Sequence, residues 1–160
     1  MKRHGQQRSG LRSTGVTRSE RESLWREVEA IYAELARRPI ERDCQTRTTC
    51  CRFRLTGKTP HLTKGEALYL AQGCRAAGRT AWPLPADGSC PVLDPRTGSC
   101  RAYAHRPFGC RTHFCEAAGG PYARREVLDL IRRLEEIDAR LGGAGPQALP
   151  VALSQALREF

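Results

Sequence analysis

Between Cys100 and Cys115 the chain reads CRAYAHRPFGCRTHFC, with three cysteines, two histidines and three arginines in one short run. Thiolate and imidazole are metal-ligating groups, and a sulfur-dominated set selects zinc, copper(I) or iron–sulfur clusters. A tetrathiolate zinc site and an oxidised [4Fe–4S] cluster with four thiolates each carry a formal charge of about −2. Permanent cations beside such a site lower its energy and can donate to its sulfurs. The run therefore reads as a metal site with its compensating charge, with Arg106 and Arg111 as candidate donors to sulfur and Arg101 a weaker one.

The eight cysteines are Cys44, Cys50, Cys51, Cys74, Cys90, Cys100, Cys110 and Cys115. Four disulfides are one use of such a set, but the basic N-terminal segment leads into no apolar run that would mark secretion, and cytosolic thiols stay reduced. The C-x-x-C spacing of thioredoxin-like redox sites is absent. Metal binding is the best single account. Common zinc ribbons pair their ligands as close knuckles, whereas here Cys44 and Cys50, Cys90 and Cys100, and Cys100 and Cys110 are widely separated. That spacing fits an irregular cage gathered from several loops. Cys50 and Cys51 are adjacent and their side chains diverge, so one binds while the other supports, or each serves a different ion. Cys74 follows Leu70 by one helical turn on an apolar face and reads as a small core residue.

Four stretches in order, CQTRTTCC, LTKGEA, CPVLD and CRAYAHRPFGCR, resemble the YkgJ-type cysteine-cluster family, described as zinc- or iron-chelating and related to the cluster region of flagellin lysine methylase. The similarity covers residues 44–115. It implies that Cys44, Cys50, Cys51, Cys90, Cys100 and Cys110 are the ligand candidates. The family pattern places a further cysteine at position 47, where this chain has Arg47. Two expectations follow. Either that thiol is dispensable and Arg47 donates to the centre, or Cys115, close behind Cys110, supplies the replacement. His113, three residues after Cys110, shares its face if that stretch is helical and is a rival to Cys115.

Helices must hold this cage. Leu24, Val28, Ile31 and Leu35 form one apolar stripe over residues 20–37, with Ser19 as the expected cap and Pro39 as the stop. Thr63 and Glu66 have capping-box spacing at the start of a second helix that Gly78 can end. A third is expected from Pro121, with Val127, Ile131, Leu134, Ile137 and Leu141 inward, and a short fourth after Pro150, with Leu153, Leu157 and Phe160 inward. The acids fall mostly on helix surfaces. Turn residues in DPRTGS between CPVL and CRAY predict a small β-hairpin, braced by Asp94. The expected fold is mainly α: a small helical domain over residues 19–160 with an irregular cysteine-rich middle, behind a disordered basic tail over residues 1–18.

The formal net charge is +10. Lys2, Arg3, Arg8, Arg12 and Arg18 put half of it in the tail, which contains no acid. Nucleic acid is a partner candidate through that tail, but a disfavoured one, since no aromatic is interleaved to stack on bases. No apolar stretch approaches membrane-spanning length, and the expected location is the cytoplasm. No catalytic triad, P-loop, dinucleotide fingerprint or H-E-x-x-H motif occurs, and no catalytic residue is assigned. The leading reading is an iron–sulfur protein, with a [4Fe–4S] cluster as cofactor. It would act in electron transfer with a redox or protein partner, or as the metal-bearing part of an oxidoreductase or methyl-transfer system. The alternative is a structural zinc module that mediates protein or nucleic-acid binding.

Overall fold

A computed structural model of the chain describes residues 16–38, 42, 48–79 and 81–160. It is mainly helical, with one two-stranded antiparallel sheet. The expected tail lies almost wholly outside the described residues. None of the described helices is long and apolar enough to cross a membrane.

Helix α1 spans Arg18–Arg37 and is capped by Thr17, two residues before the expected Ser19. The reason is reciprocal capping. Thr17 Oγ1 accepts from the Glu20 N–H, and the Glu20 carboxylate accepts from the Thr17 N–H at 2.8 Å. Ser19 also has an acid three residues on, Glu22, but that carboxylate accepts from Arg18 at 3.1 Å and not from Ser19. Leu24, Val28, Ile31, Tyr32 and Leu35 are the buried stripe. After a one-turn helix α2, Phe53–Thr56, strand β1 covers His61–Leu62. Helix α3, Lys64–Ala76, begins at the expected Thr63–Glu66 capping box. Nine of its thirteen residues are buried, so its sequence is apolar nearly all round rather than striped.

A second one-turn helix, α4, spans Phe108–Thr112. Helix α5, Arg124–Arg140, starts three residues after the expected Pro121, where the Glu126 carboxylate accepts from the Ala123 N–H at 2.7 Å. Leu130, not Ile131, is the fully buried member of its stripe. Strand β2, Gln147–Ala148, leads into α6, Leu149–Leu157. Phe160 is 38% exposed rather than inward, though it stacks on Trp25 and lies under the Arg21 and Arg75 guanidinium groups.

The sheet joins distant parts of the chain, with His61 opposite Ala148 and Leu62 opposite Gln147. It seats α6 against the start of α3. The expected hairpin exists in minimal form, as one antiparallel bridge between Leu93 and Cys100. Asp94 braces its turn: its side chain accepts from the Arg96 N–H at 3.0 Å and its backbone carbonyl accepts from the Gly98 N–H at 2.8 Å.

Central α3 separates two apolar groups. On one side lie α1 and α5; on the other lie α6 and the cysteine-bearing turns. Gly65 and Gly73 permit close approach, since a Cβ at either would collide with Ile137 or His105. Two acids depart from the surface expectation. Glu66 and Asp138 are buried, and Asp138 of α5 accepts from the Lys64 N–H of α3 at 2.7 Å.

Candidate metal centre

Three segments bring thiols to one cavity of about 380 Å³. Cys50 and Cys51 come from the single turn Thr49–Cys51 that precedes α2. Cys90 and Cys100 flank the hairpin, and Cys110 lies in α4. Backbone bonds fix these segments to one another. The Cys90 N–H donates to the Cys51 carbonyl at 2.7 Å, and the Arg101 N–H donates to the Val92 carbonyl at 3.0 Å. The rest of the wall is largely apolar, with Phe53, Leu70, Val92 and Leu149. Thr48, at the cavity wall, has φ 51, a left-handed conformation unusual for a β-branched residue.

The thiols lie within one another's electrostatic reach. Burial pushes Cys90 up to about 12, with the nearby Cys100 and Cys50 adding to the rise. Burial likewise raises Cys110, where Cys90, Cys50 and Cys100 add, and raises Cys100. Cys50 and Cys51 share a proton unequally. The hydrogen bond from Cys51 lowers Cys50 to about 6, and the same bond, followed by burial, holds Cys51 well above the usual thiol range. Buried, mutually repelling thiols stay protonated until a cation compensates the charge they would carry, so metal binding and proton release are coupled.

Among the described residues Arg106 is the arginine on the cavity wall. Its Nε donates to the Tyr103 carbonyl at 3.1 Å, and its guanidinium stands 3.7 Å from the Tyr103 ring centroid. Arg111 sits elsewhere. It donates to the Arg106 and Ala104 carbonyls at 2.7 and 2.6 Å and stacks over Tyr32, clamping the turn that carries Arg106. Arg101 is paired with Asp94 at 3.3 Å. Cys44 and Arg47 lie outside the described residues.

His113 lines the cavity and Cys115 does not. Cys110 is in α4 and His113 is its C-terminal cap, which gives these two the shared direction expected of helical spacing. Cys115 is half-buried ahead of the next turn, where its carbonyl accepts from the Ala118 and Gly120 N–H groups at 2.9 and 3.0 Å. Cys74 is fully buried inside α3 and is not on the wall; burial raises it to about 12, with nearby Cys100 and Cys90 adding to the rise. His105 packs over Gly73 and against Tyr69, with ring centroids 4.7 Å apart, and so docks its loop onto α3. Lys58, a second cation on the wall, carried no separate signal in the sequence, and buried Glu66 was signalled there only as a helix cap.

Among the described residues the donor set fits a thiophilic metal: five sulfurs and one imidazole, with no carboxylate on the wall. Among the described residues no three His, Cys, Asp or Glu side chains already meet around one point as a single ion requires. The arrangement defines a cysteine-cluster metal-binding domain. Residues 42–129, more than half of the chain, match the CxxCxxCC family, described as "Putative zinc- or iron-chelating domain". The chain belongs to that family. Comparison with curated proteins and with solved structures returned no match.

Proposed function

We propose that the cavity holds an iron–sulfur cluster of the [4Fe–4S] type, ligated by Cys90, Cys100, Cys110 and one thiol of the Cys50–Cys51 pair, with Cys44 the alternative fourth ligand. The protein would serve electron transfer, or form the metal-bearing part of an oxidoreductase or methyl-transfer system. The observation that carries this reading is thiols spread around a cavity of about 380 Å³. A structural zinc ion draws four ligands to roughly 2.3 Å of one point and leaves no room between them. A cluster needs that room.

Charge supports the same reading. The segments 48–60 and 95–115 contain Arg52, Arg54, Lys58, Arg96, Arg101, Arg106 and Arg111, and no acid. With the tail set aside, the chain's net positive charge therefore resides on the two segments that carry Cys50, Cys51, Cys100 and Cys110, while the Cys90 segment brings Asp87 and Asp94. A cluster with four thiolates is anionic, and neighbouring cations stabilise it and raise its potential.

The test is anaerobic purification, metal and sulfide analysis, and a visible spectrum. The expected protein is brown, with about four iron and four sulfide per chain, and changes spectrum on reduction. Colourless protein with stoichiometric zinc would replace this reading with a structural zinc module that binds protein or nucleic acid.

A further inference from the structure

The helix that carries Cys110 does not cap itself. Pro107 stands at its cap position and offers no side-chain acceptor. The Cys110 and Arg111 N–H groups both return to the Pro107 carbonyl, at 3.0 and 3.2 Å. The Phe108 N–H is left over, and it donates to Glu66 Oε1 at 2.8 Å.

Glu66 is only 3% exposed, and both of its oxygens are engaged. Oε1 also accepts from the Tyr32 hydroxyl of α1 at 3.2 Å. Oε2 accepts from the Thr63 N–H at 3.0 Å and from its hydroxyl at 2.8 Å. One oxygen is enough to cap α3. The other reaches 42 residues along the chain to a different helix. Burial raises the carboxyl's pKa while these donors oppose the rise. An acceptor held by three elements and closed off from water is rigid, because each lost partner would leave a buried polar group unpaired.

We propose that Glu66 is a positioning residue of the metal centre: by holding the Phe108 N–H it sets the start of α4, and with it the place of the Cys110 sulfur. Cys110 is two residues from Phe108 inside a five-residue helix, so a shift at the start is carried to the thiol. The Thr112 hydroxyl donates to the Phe108 carbonyl at 3.0 Å, which ties the two ends of α4 together. Arg111 works with the same hub, stacking over the Tyr32 ring whose hydroxyl meets Glu66. The inference rests on Cys110 being a metal ligand, as proposed above.

Glu66→Met keeps the volume and removes both acceptors. Two measurements on the full chain test it. In metal-free protein, iodoacetamide labelling is followed at each cysteine by peptide mass spectrometry. Losing a hydrogen bond to a charged acceptor should speed labelling of Cys110 about ten-fold, with Cys90 and Cys74 little changed. An unchanged Cys110, or a parallel rise at all three, overturns the proposal, since general loosening moves them together. In the second measurement, Zn²⁺ affinity is read by chelator competition for Glu66→Met, Cys110→Ser and the double variant. A residue that acts through Cys110 adds no loss once Cys110 is gone; additive losses overturn the proposal. Should Glu66→Met not fold, Glu66→Gln enters both measurements. It keeps one acceptor oxygen, so the effect is smaller, but the selectivity for Cys110 and the non-additivity must persist. A wild-type chain that binds neither zinc nor iron removes the metal reading itself, and the labelling measurement then decides the role of Glu66 in placing Cys110.

Discussion

Gly73→Ala should destabilise this protein, although Ala in a helix interior is ordinarily worth about 1 kcal/mol over Gly. Gly73 lies within α3, and a Cβ built there collides with His105 Cγ and stands 2.7 Å from His105 Cβ. That is roughly an ångström short of ordinary carbon–carbon contact. The atoms struck are the stem of the histidine, so rotating the ring does not relieve the clash. The turn Tyr103–His105 must move off the helix. Such overpacking costs typically about 1–3 kcal/mol, and this contact belongs toward the upper end because backbone must shift. Set against the propensity gain, the net loss is about 1–2 kcal/mol, or roughly 2–8 °C in Tm for a chain of this size. Thermal unfolding followed by circular dichroism measures it. Gly73→Ala with His105→Ala removes the collision and should recover stability relative to His105→Ala alone. Metal content should fall in Gly73→Ala, because Cys100 and Arg106 flank the displaced turn. A higher Tm for Gly73→Ala would refute the reasoning, since it would mean that the turn is not docked on α3.

The remaining predictions concern the two described cysteines that are not on the cavity wall. Cys74→Ala should keep full metal content and lose about 1–2 kcal/mol, because Cys74 is fully buried in α3 as packing; loss of metal from a folded variant would make it a ligand. Cys115→Ser should also keep its metal and spectrum, because the sulfur is not on the cavity wall. A fall in occupancy would instead make Cys115 the stand-in for the thiol missing at position 47, and adding Arg47→Cys should then restore it.

The long helices were largely legible, α1 and α5 through an apolar stripe and α3 through its capping box. Where boundaries slipped, local chemistry explains it: Thr17 and Glu20 form a reciprocal box, whereas Glu22, three residues after Ser19, is paired with Arg18 instead. The sheet was not legible. Two residues per strand are too few to show alternation, and the partners are separated by most of the chain. The thiol set was legible as a set, through the order of its motifs, but not which thiols line one wall. That depends on α4 being a single turn and on the chain turning back after His113, neither of which leaves a periodic signal. Glu66 was legible as a cap for α3. Its second bond was not, because the Phe108 N–H becomes a neighbour only once α3 and α4 have packed.

The arginines of CRAYAHRPFGCR show how one composition resolves into separate roles. Read by charge alone, Arg101, Arg106 and Arg111 are equivalent counter-charges to a metal centre. In the folded chain Arg101 is paired with Asp94 at the hairpin turn, and Arg111 spends its donors on the Ala104 and Arg106 carbonyls. Both shape the backbone between Cys100 and Cys110. Arg106 alone of the three lines the cavity, held against Tyr103. Replacing a positioned guanidinium with lysine would lose its planar stacking and fixed donors even though the charge remains. Only one of the three arginines is therefore placed to answer charge on the thiols directly. The other two hold the turn that brings it there, and the long-range field of the remaining cations in segments 48–60 and 95–115 acts at greater distance and is screened by salt.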